Sequence, residues 1–206
     1  LVVAITTTDV TVAGACPQEY TITRTWRASD DCGNSSSCTQ TIFVDDSTPP
    51  VITFCPPNIT LQCTASTAPG GSNGTATATD NCDLVVAITS TDVTVAGACP
   101  QSYTINRTWR ATDDCGNSST CLQTIFVDDS TPPTITSCPP NITIQCTAGT
   151  APGGTNGTAT ATDNCDATPT ITSSDVVSGG LCPQLTITRT WRALDDCGNS
   201  SSCTQI

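Results

Sequence analysis

The sequence contains no histidine, no lysine and no methionine, and its only glutamate is Glu19. Without histidine or lysine, and with cysteines whose pattern implies oxidation, the nucleophile-plus-base pairs of covalent catalysis are missing. Paired aspartates are the only acid–base candidates left. They recur unchanged in every copy of a repeat, which is how construction material is distributed, so the chain is expected not to be an enzyme. The lack of lysine also excludes Lys–Asn isopeptide crosslinks. All six basic residues are arginines, against 18 acidic ones and a net charge of -12. That leaves no basic patch for nucleic acid or an anionic membrane surface. No apolar run is long enough to cross a bilayer, no signal-peptide pattern appears and helical periodicity is missing. Aromatic residues make up only 4% of the chain, so each unit has few large anchors for a core.

What is present is repetition. Leu1 to Pro50 recurs at Leu84 to Pro133 with 44 of 50 positions identical, and Val51 to Asp83 recurs at Thr134 to Asp166 with 28 of 33 identical. One position is lost late in the third copy, where Cys182 to Trp191 is one step shorter than Cys99 to Trp109. The period, about 83 residues, is too long for a solenoid repeat and right for one small β domain. Division at the Thr-Pro-Pro boundaries predicts the C-terminal part of a repeat at 1–47, a complete repeat at 48–130 and a nearly complete one at 131–206. The frame at Leu1 and Ile206 reads as a window on a longer array.

Threonine and serine crowd the sequence and leave few bulky side chains for a core. Fifteen cysteines offset that shortage, six per complete unit: Cys55, Cys63, Cys82, Cys99, Cys115 and Cys121. An even count in so small a domain predicts three disulfides, each contributing ~2–4 kcal/mol, and an oxidising, extracellular setting. With no CxxC pair and no histidine, zinc is the weaker reading.

Within a unit, Pro49-Pro50 marks the boundary, because a Pro-Pro pair does not fit a central strand. Val51–Cys55 and Asn58–Cys63 read as one edge strand interrupted by Pro56-Pro57, and 64–73 as a loop. Gly74 to Asp80 alternates threonine with alanine, the period of a half-buried strand. Val85 to Val95 is strand. Tyr103 to Thr112 places Tyr103, Ile105, Arg107, Trp109 and Ala111 on one face, and Leu122 to Asp128 closes the unit. The predicted fold class is all-β: tandem immunoglobulin-like antiparallel β-sandwich repeats, one sandwich per period, stapled by disulfides.

Strand directions suggest the pairing. A strand of roughly ten residues at ~3.3 Å each separates Cys99 from Cys115 by ~30 Å, so those two do not pair. The consistent scheme is Cys63 with Cys99, Cys82 with Cys115 and Cys55 with Cys121. In the next unit it gives Cys146 with Cys182, Cys165 with Cys197 and Cys138 with Cys203. Cys16, Cys32 and Cys38 are left without partners inside the chain.

The strings ATDNC, TITRTWRA, DDCGNSSSCTQTIFV and DDSTPP followed by CPPNIT resemble the hyalin-repeat-like modules of large extracellular adhesins, including the gliding-adhesin type of Bacteroidota. The resemblance spans the chain in repeating form. It implies an immunoglobulin-like fold, extracellular display and an adhesive or scaffold role.

Three further constellations recur. Asp45 and Asp46, Asp80 and Asp83, and Asp113 and Asp114 converge on one repeat junction, and clustered hard oxygens suit Ca²⁺. The plainer alternative is that aspartates simply populate turns. Eight N-x-[ST] sequons, at Asn34, Asn58, Asn73, Asn106, Asn117, Asn141, Asn156 and Asn199, offer glycan sites. Arg24 shares a face with Trp26, Arg107 with Trp109 and Arg189 with Trp191. That pattern fits a core tryptophan with the arginine stem over it and its head on an aspartate better than a ligand patch.

The functional expectation is a structural repeat of an extracellular filament or cell-surface adhesin stalk, rigidified by disulfides and calcium. Its expected partners are neighbouring repeats, further copies and glycans, with no nucleic acid and no membrane insertion in this segment. The alternative is a carbohydrate- or protein-binding module acting through its loops. The DNCD and DDCGNSS turns, nearly invariant between copies, favour the scaffold.

Overall fold

The computed structural model describes residues 2–181 and 184–206. In chain order its strands are β1 (Ala4–Ala13), β2 (Tyr20–Ser29), β3 (Ser35–Val44), β4 (Val51–Phe54), β5 (Ile59–Gln62), β6 (Thr77–Thr79) and β7 (Ala87–Ala96). They continue as β8 (Tyr103–Thr112), β9 (Ser118–Asp128), β10 (Thr134–Ser137), β11 (Thr160–Thr162), β12 (Thr170–Gly179), β13 (Leu185–Leu194) and β14 (Ser200–Gln205). Helix among the described residues is limited to two short 3-10 turns at Gly71–Asn73 and Gly154–Asn156. The all-β class read from the threonine-rich alternation is the class observed.

Three meanders repeat the same design. β1-β2-β3 and β12-β13-β14 are three-stranded sheets, and β7, β8 and β9 acquire β5 to give the order β5-β9-β8-β7. The pairing is antiparallel within the first and third meanders, as short hairpin turns require. In the middle meander the β8–β9 turn shows why. Asp113 Oδ1 accepts the backbone N–H of Cys115 and of Asn117, and Gly116 takes φ 91°, a left-handed conformation glycine adopts without a Cβ clash.

Two details differ from the sequence reading. The segments flanking Pro56-Pro57 are not one interrupted strand. β4 pairs with β6, whereas β5 crosses to another sheet and lies parallel on β9, with Ile59 opposite Ile125 and Leu61 opposite Val127. Two consecutive residues without an N–H end the β4 ladder and release the chain to that second sheet. The threonine–alanine strand is also shorter than its alternation suggested, spanning only Thr77–Thr79 and Thr160–Thr162.

The chain divides into two compact units that do not follow the sequence repeats. One comprises Leu1–Pro57, Pro69–Asp92 and Arg107–Gln123, and the other Asn58–Ala68, Val93–Asn106 and Thr124–Ile206. In the first unit Trp109, Ala111 and Ala76 are buried. In the second, Ile105, Ile125 and Val127 form a cluster packed by Ile59, Leu61, Cys63 and Tyr103. These small cores explain the reliance on covalent staples. The first meander is the open one: Trp26 is 37% exposed, whereas its equivalents Trp109 and Trp191 are 2% and 3% exposed.

Candidate functional site

The disulfides are the first structural feature that the sequence left ambiguous. Cys55 is bonded to Cys121 and Cys138 to Cys203, both with Cα–Cα distances of 6.3 Å, and both bonds lie inside one repeat. Three others among the described residues connect consecutive repeats. Cys16 is bonded to Cys115, Cys99 to Cys197 and Cys63 to Cys165, with Cα–Cα distances of 5.0, 5.1 and 6.0 Å. They replace the expected Cys63–Cys99, Cys82–Cys115 and Cys165–Cys197 bonds. Cys16 and Cys99 occupy the same repeat position, as do Cys115 and Cys197, so one link is made twice. Cys32, Cys38 and Cys82 carry no disulfide and are exposed. Cys146 is disulfide-bonded, and the expected Cys146–Cys182 pair involves Cys182, which lies outside the described residues.

Gln18 sits beside the first of these links. Its Oε1 lies 3.6 Å from Cys115 Sγ, and its amide donates to the carbonyl of Cys82 at 3.5 Å. Gln101 repeats the sulfur contact at Cys197.

The aspartates sort themselves by what each oxygen does. Asp46 is 5% exposed; its Oδ1 accepts the Thr48 N–H at 3.2 Å, and its Oδ2 is buried with no nitrogen or oxygen donor in range among the described residues. Asp80 Oδ1 accepts the N–H groups of Cys82 and Asp83, and its Oδ2 is likewise buried and unpartnered. The second unit repeats both arrangements. Asp129, 3% exposed, accepts from Thr131, and Asp163 accepts from Cys165 and Asp166, while both Oδ2 atoms are unpartnered. Asp129, Asp163 and Asp195 bring a ligand oxygen each within 4.8 Å of one another, and Asp46, Asp80 and Cys82 bring together two oxygens and a sulfur in the same way.

Of the six expected cation ligands, Asp46 and Asp80 therefore meet. Asp113 stands beside them, since the Asn117 amide donates both to the Asp46 carbonyl and to Asp113 Oδ2. The Cys82 thiol is raised above its ordinary value, first by desolvation and then by Asp46, to which it is hydrogen-bonded, Asp80 and Asp113. Asp83 is instead a buried turn-former, its oxygens accepting the N–H groups of Val85 and Asp114. Asp45 and Asp114 are exposed.

Carboxylates this close repel by about 3 kcal/mol per pair at an effective dielectric of about 20. Among the described residues no arginine is paired with them. Arg24, Arg107 and Arg189 pair with Asp9, Asp92 and Asp175, and Arg27, Arg110 and Arg192 donate to Ser35, Ser118 and Ser200. Asp129 is accordingly raised above the ordinary carboxylate value, by burial first and then by Asp163, Asp195 and Asp128.

The arginine–tryptophan faces are structural. The Arg24, Arg107 and Arg189 guanidinium carbons lie 5.8, 5.7 and 5.7 Å from the Trp26, Trp109 and Trp191 ring centroids. Each head makes two hydrogen bonds to its aspartate. A glutamine completes the motif: Gln123 Oε1 accepts the Trp109 indole N–H at 3.1 Å, and its amide donates to the carbonyls of Pro57 and Asn73. Gln205 does the same with Trp191, Pro140 and Asn156. The recurrence of a glutamine at a fixed distance after each tryptophan, as Gln40, Gln123 and Gln205, was the available signal.

The sequons split in two. Asn34, Asn58, Asn106 and Asn141 are exposed. Asn73 and Asn156 are buried, and Asn156 spends its amide on the carbonyls of Gly149 and Ala151. Asn117 donates to the Asp46 carbonyl and to Asp113, and Asn199 to the Asp129 carbonyl and to Asp195. These two fasten the aspartate clusters, and a glycan on either amide would remove a donor.

No protein-family model matches the chain, and no curated protein matches it. Solved structures similar to it include the protocadherin GammaB4 extracellular domain, at 16% identity and a TM-score of 0.36, covering 98% of this chain and 43% of that one. Drosophila N-cadherin EC1-4 is similar at 11% identity and a TM-score of 0.38, with 94% and 57% covered. Human CDH23 EC21-23 is similar at 14% identity and a TM-score of 0.34, with 90% and 74% covered. The chain spans about half the length of the first two.

Proposed function

We propose that the chain is a load-bearing repeat array of an extracellular filament or long cell-surface adhesin stalk. The observation that carries this reading is the disulfide pattern, in which each repeat is bonded to the next: Cys16 to Cys115, Cys63 to Cys165 and Cys99 to Cys197. A bond inside a repeat resists unfolding of that repeat alone. A bond between repeats transmits tension past a broken backbone, which is what an exposed, protease-accessible fibre needs. Disulfides in this number also persist only where the surroundings are oxidising.

The test is a single cut. A protease site inserted between the exposed residues Ser130 and Thr131 severs the backbone at a repeat boundary that Cys63–Cys165 and Cys99–Cys197 span. The cut protein should run as one species without reductant and as two with it. Separation without reductant would remove the basis of the load-bearing reading.

A further inference from the structure

We propose that each compact unit holds one calcium ion in a carboxylate cradle, formed by Asp46, Asp80 and Asp113 in the first unit and by Asp129, Asp163 and Asp195 in the second. The inference goes beyond the load-bearing reading and stands without it.

Clustered acids alone do not make a site. Here the decisive observation is what the second oxygen of each buried aspartate does. In both units the Oδ1 atoms of the first two aspartates are spent on backbone N–H groups of their own turns, and the Oδ2 atoms are buried with no nitrogen or oxygen donor in range among the described residues. Asp46 and Asp129 are at least nine-tenths buried. In the first unit the Cys82 thiol faces Asp46, but in the second the equivalent Cys165 is oxidised and has no proton to give. A buried carboxylate oxygen without a donor is rare in folded proteins, and the same atoms left so in two copies mark a place built for a cation. The third aspartate is fixed from outside: Asn117 donates to Asp113 Oδ2 while also holding the Asp46 backbone carbonyl, and Asn199 does so for Asp195 and Asp129. The ligand set is thus preorganised by hydrogen bonds that do not use the unpartnered oxygens.

The chemistry selects the ion. The second cradle offers oxygen alone, because Cys165 beside it is oxidised. Hard carboxylate oxygens in an irregular arrangement suit Ca²⁺, whereas Mg²⁺ demands near-octahedral geometry and gives up its water reluctantly. Only three acidic ligands are present, so affinity is expected in the range of extracellular modules, on the order of 10⁻⁴–10⁻³ M. All six arginines are engaged elsewhere, which leaves no side-chain cation to fill the role.

The test uses the full, disulfide-intact chain with Cys32 and Cys38 replaced by serine and Cys82 by alanine, so that no free thiol binds metal. Calorimetric titration with CaCl₂ should give two ions per chain. Asp46→Asn and Asp129→Asn, near-isosteric changes, should each remove one, and the double variant both, with circular dichroism unchanged. Mg²⁺ at equal concentration should leave the calcium stoichiometry at two. Absence of binding at 10 mM CaCl₂, or two ions still bound by the double variant, would overturn the proposal. Displacement by equimolar Mg²⁺ would overturn the choice of ion. None of these outcomes bears on the cut-array experiment, so the two readings fail separately.

Discussion

Replacing Gln123 by alanine removes three hydrogen bonds in one step. Gln123 is 1% exposed, and the change strands the Trp109 indole N–H and the carbonyls of Pro57 and Asn73 in a buried site. At about 1 kcal/mol or more for each unsatisfied group, the loss should be about 3–4 kcal/mol. The same substitution at Gln40 provides the control. Gln40 holds the equivalent position opposite Trp26, but the residue is exposed and its one contact with that indole is 3.4 Å long. Its loss should stay within about 0.5 kcal/mol, the ordinary range for surface changes. Both positions lie in the same compact unit, so urea unfolding of the disulfide-intact chain reads them on one transition. With a slope of about 2 kcal/mol per molar, Gln123→Ala should lower the midpoint by about 1.5–2 M and Gln40→Ala by about 0.2 M. Equal shifts would refute the assignment, because the two sites differ in burial and hardly at all in sequence.

Asp92 and Asp175 are held below the ordinary carboxylate value of 3.8, principally by their hydrogen bonds to Arg107 and Arg189. A depressed folded-state value means that their contribution is complete above that ordinary value and is lost as pH falls through the lowered one. Melting temperature should therefore drop below about pH 4, and Asp92→Asn should flatten part of that drop. In a eukaryotic secretory host, peptide mass mapping of the folded protein should find N-glycan only at Asn58, Asn106 or Asn141, because the exposed Asn34 spends its amide on Asp30. Glycan at Asn117, Asn156 or Asn199 in folded material would contradict the amide hydrogen bonds assigned to them.

Much of this molecule was legible in its sequence, and the illegible part has a definite cause. Period-two alternation located the long strands, and it put Ile105, Arg107, Trp109 and Ala111 on the buried face where the structure has them. Pro56-Pro57 announced a break but not its consequence, since sheet membership depends on contacts far along the chain. The disulfide partners were hidden by the repetition itself. The expected scheme joined Cys63 to Cys99 and Cys82 to Cys115 within one repeat, whereas Cys63 is bonded to Cys165, which holds the position of Cys82 in the next repeat, and Cys115 to Cys16, which holds that of Cys99 in the repeat before. Strand direction constrains which end of a unit a cysteine occupies but not which copy supplies its partner. The aspartate pairs posed a similar problem: Asp45 and Asp46 are adjacent and chemically identical, and only the path of the chain decides that Asp46 is buried and Asp45 is not. Sequons likewise report a residue pattern, whereas the amide's hydrogen bonds decide whether the nitrogen is free.

Peptide mapping of the unreduced protein reads the covalent linkage of each repeat to the next. Digestion at low pH, where thiol exchange is suppressed, followed by mass spectrometry should recover Cys16 joined to Cys115, Cys63 to Cys165 and Cys99 to Cys197, with Cys55–Cys121 and Cys138–Cys203 inside their repeats. Recovery of Cys63 joined to Cys99 and of Cys82 joined to Cys115 would contradict it, because every bond would then close within a single repeat and none would carry load to its neighbour.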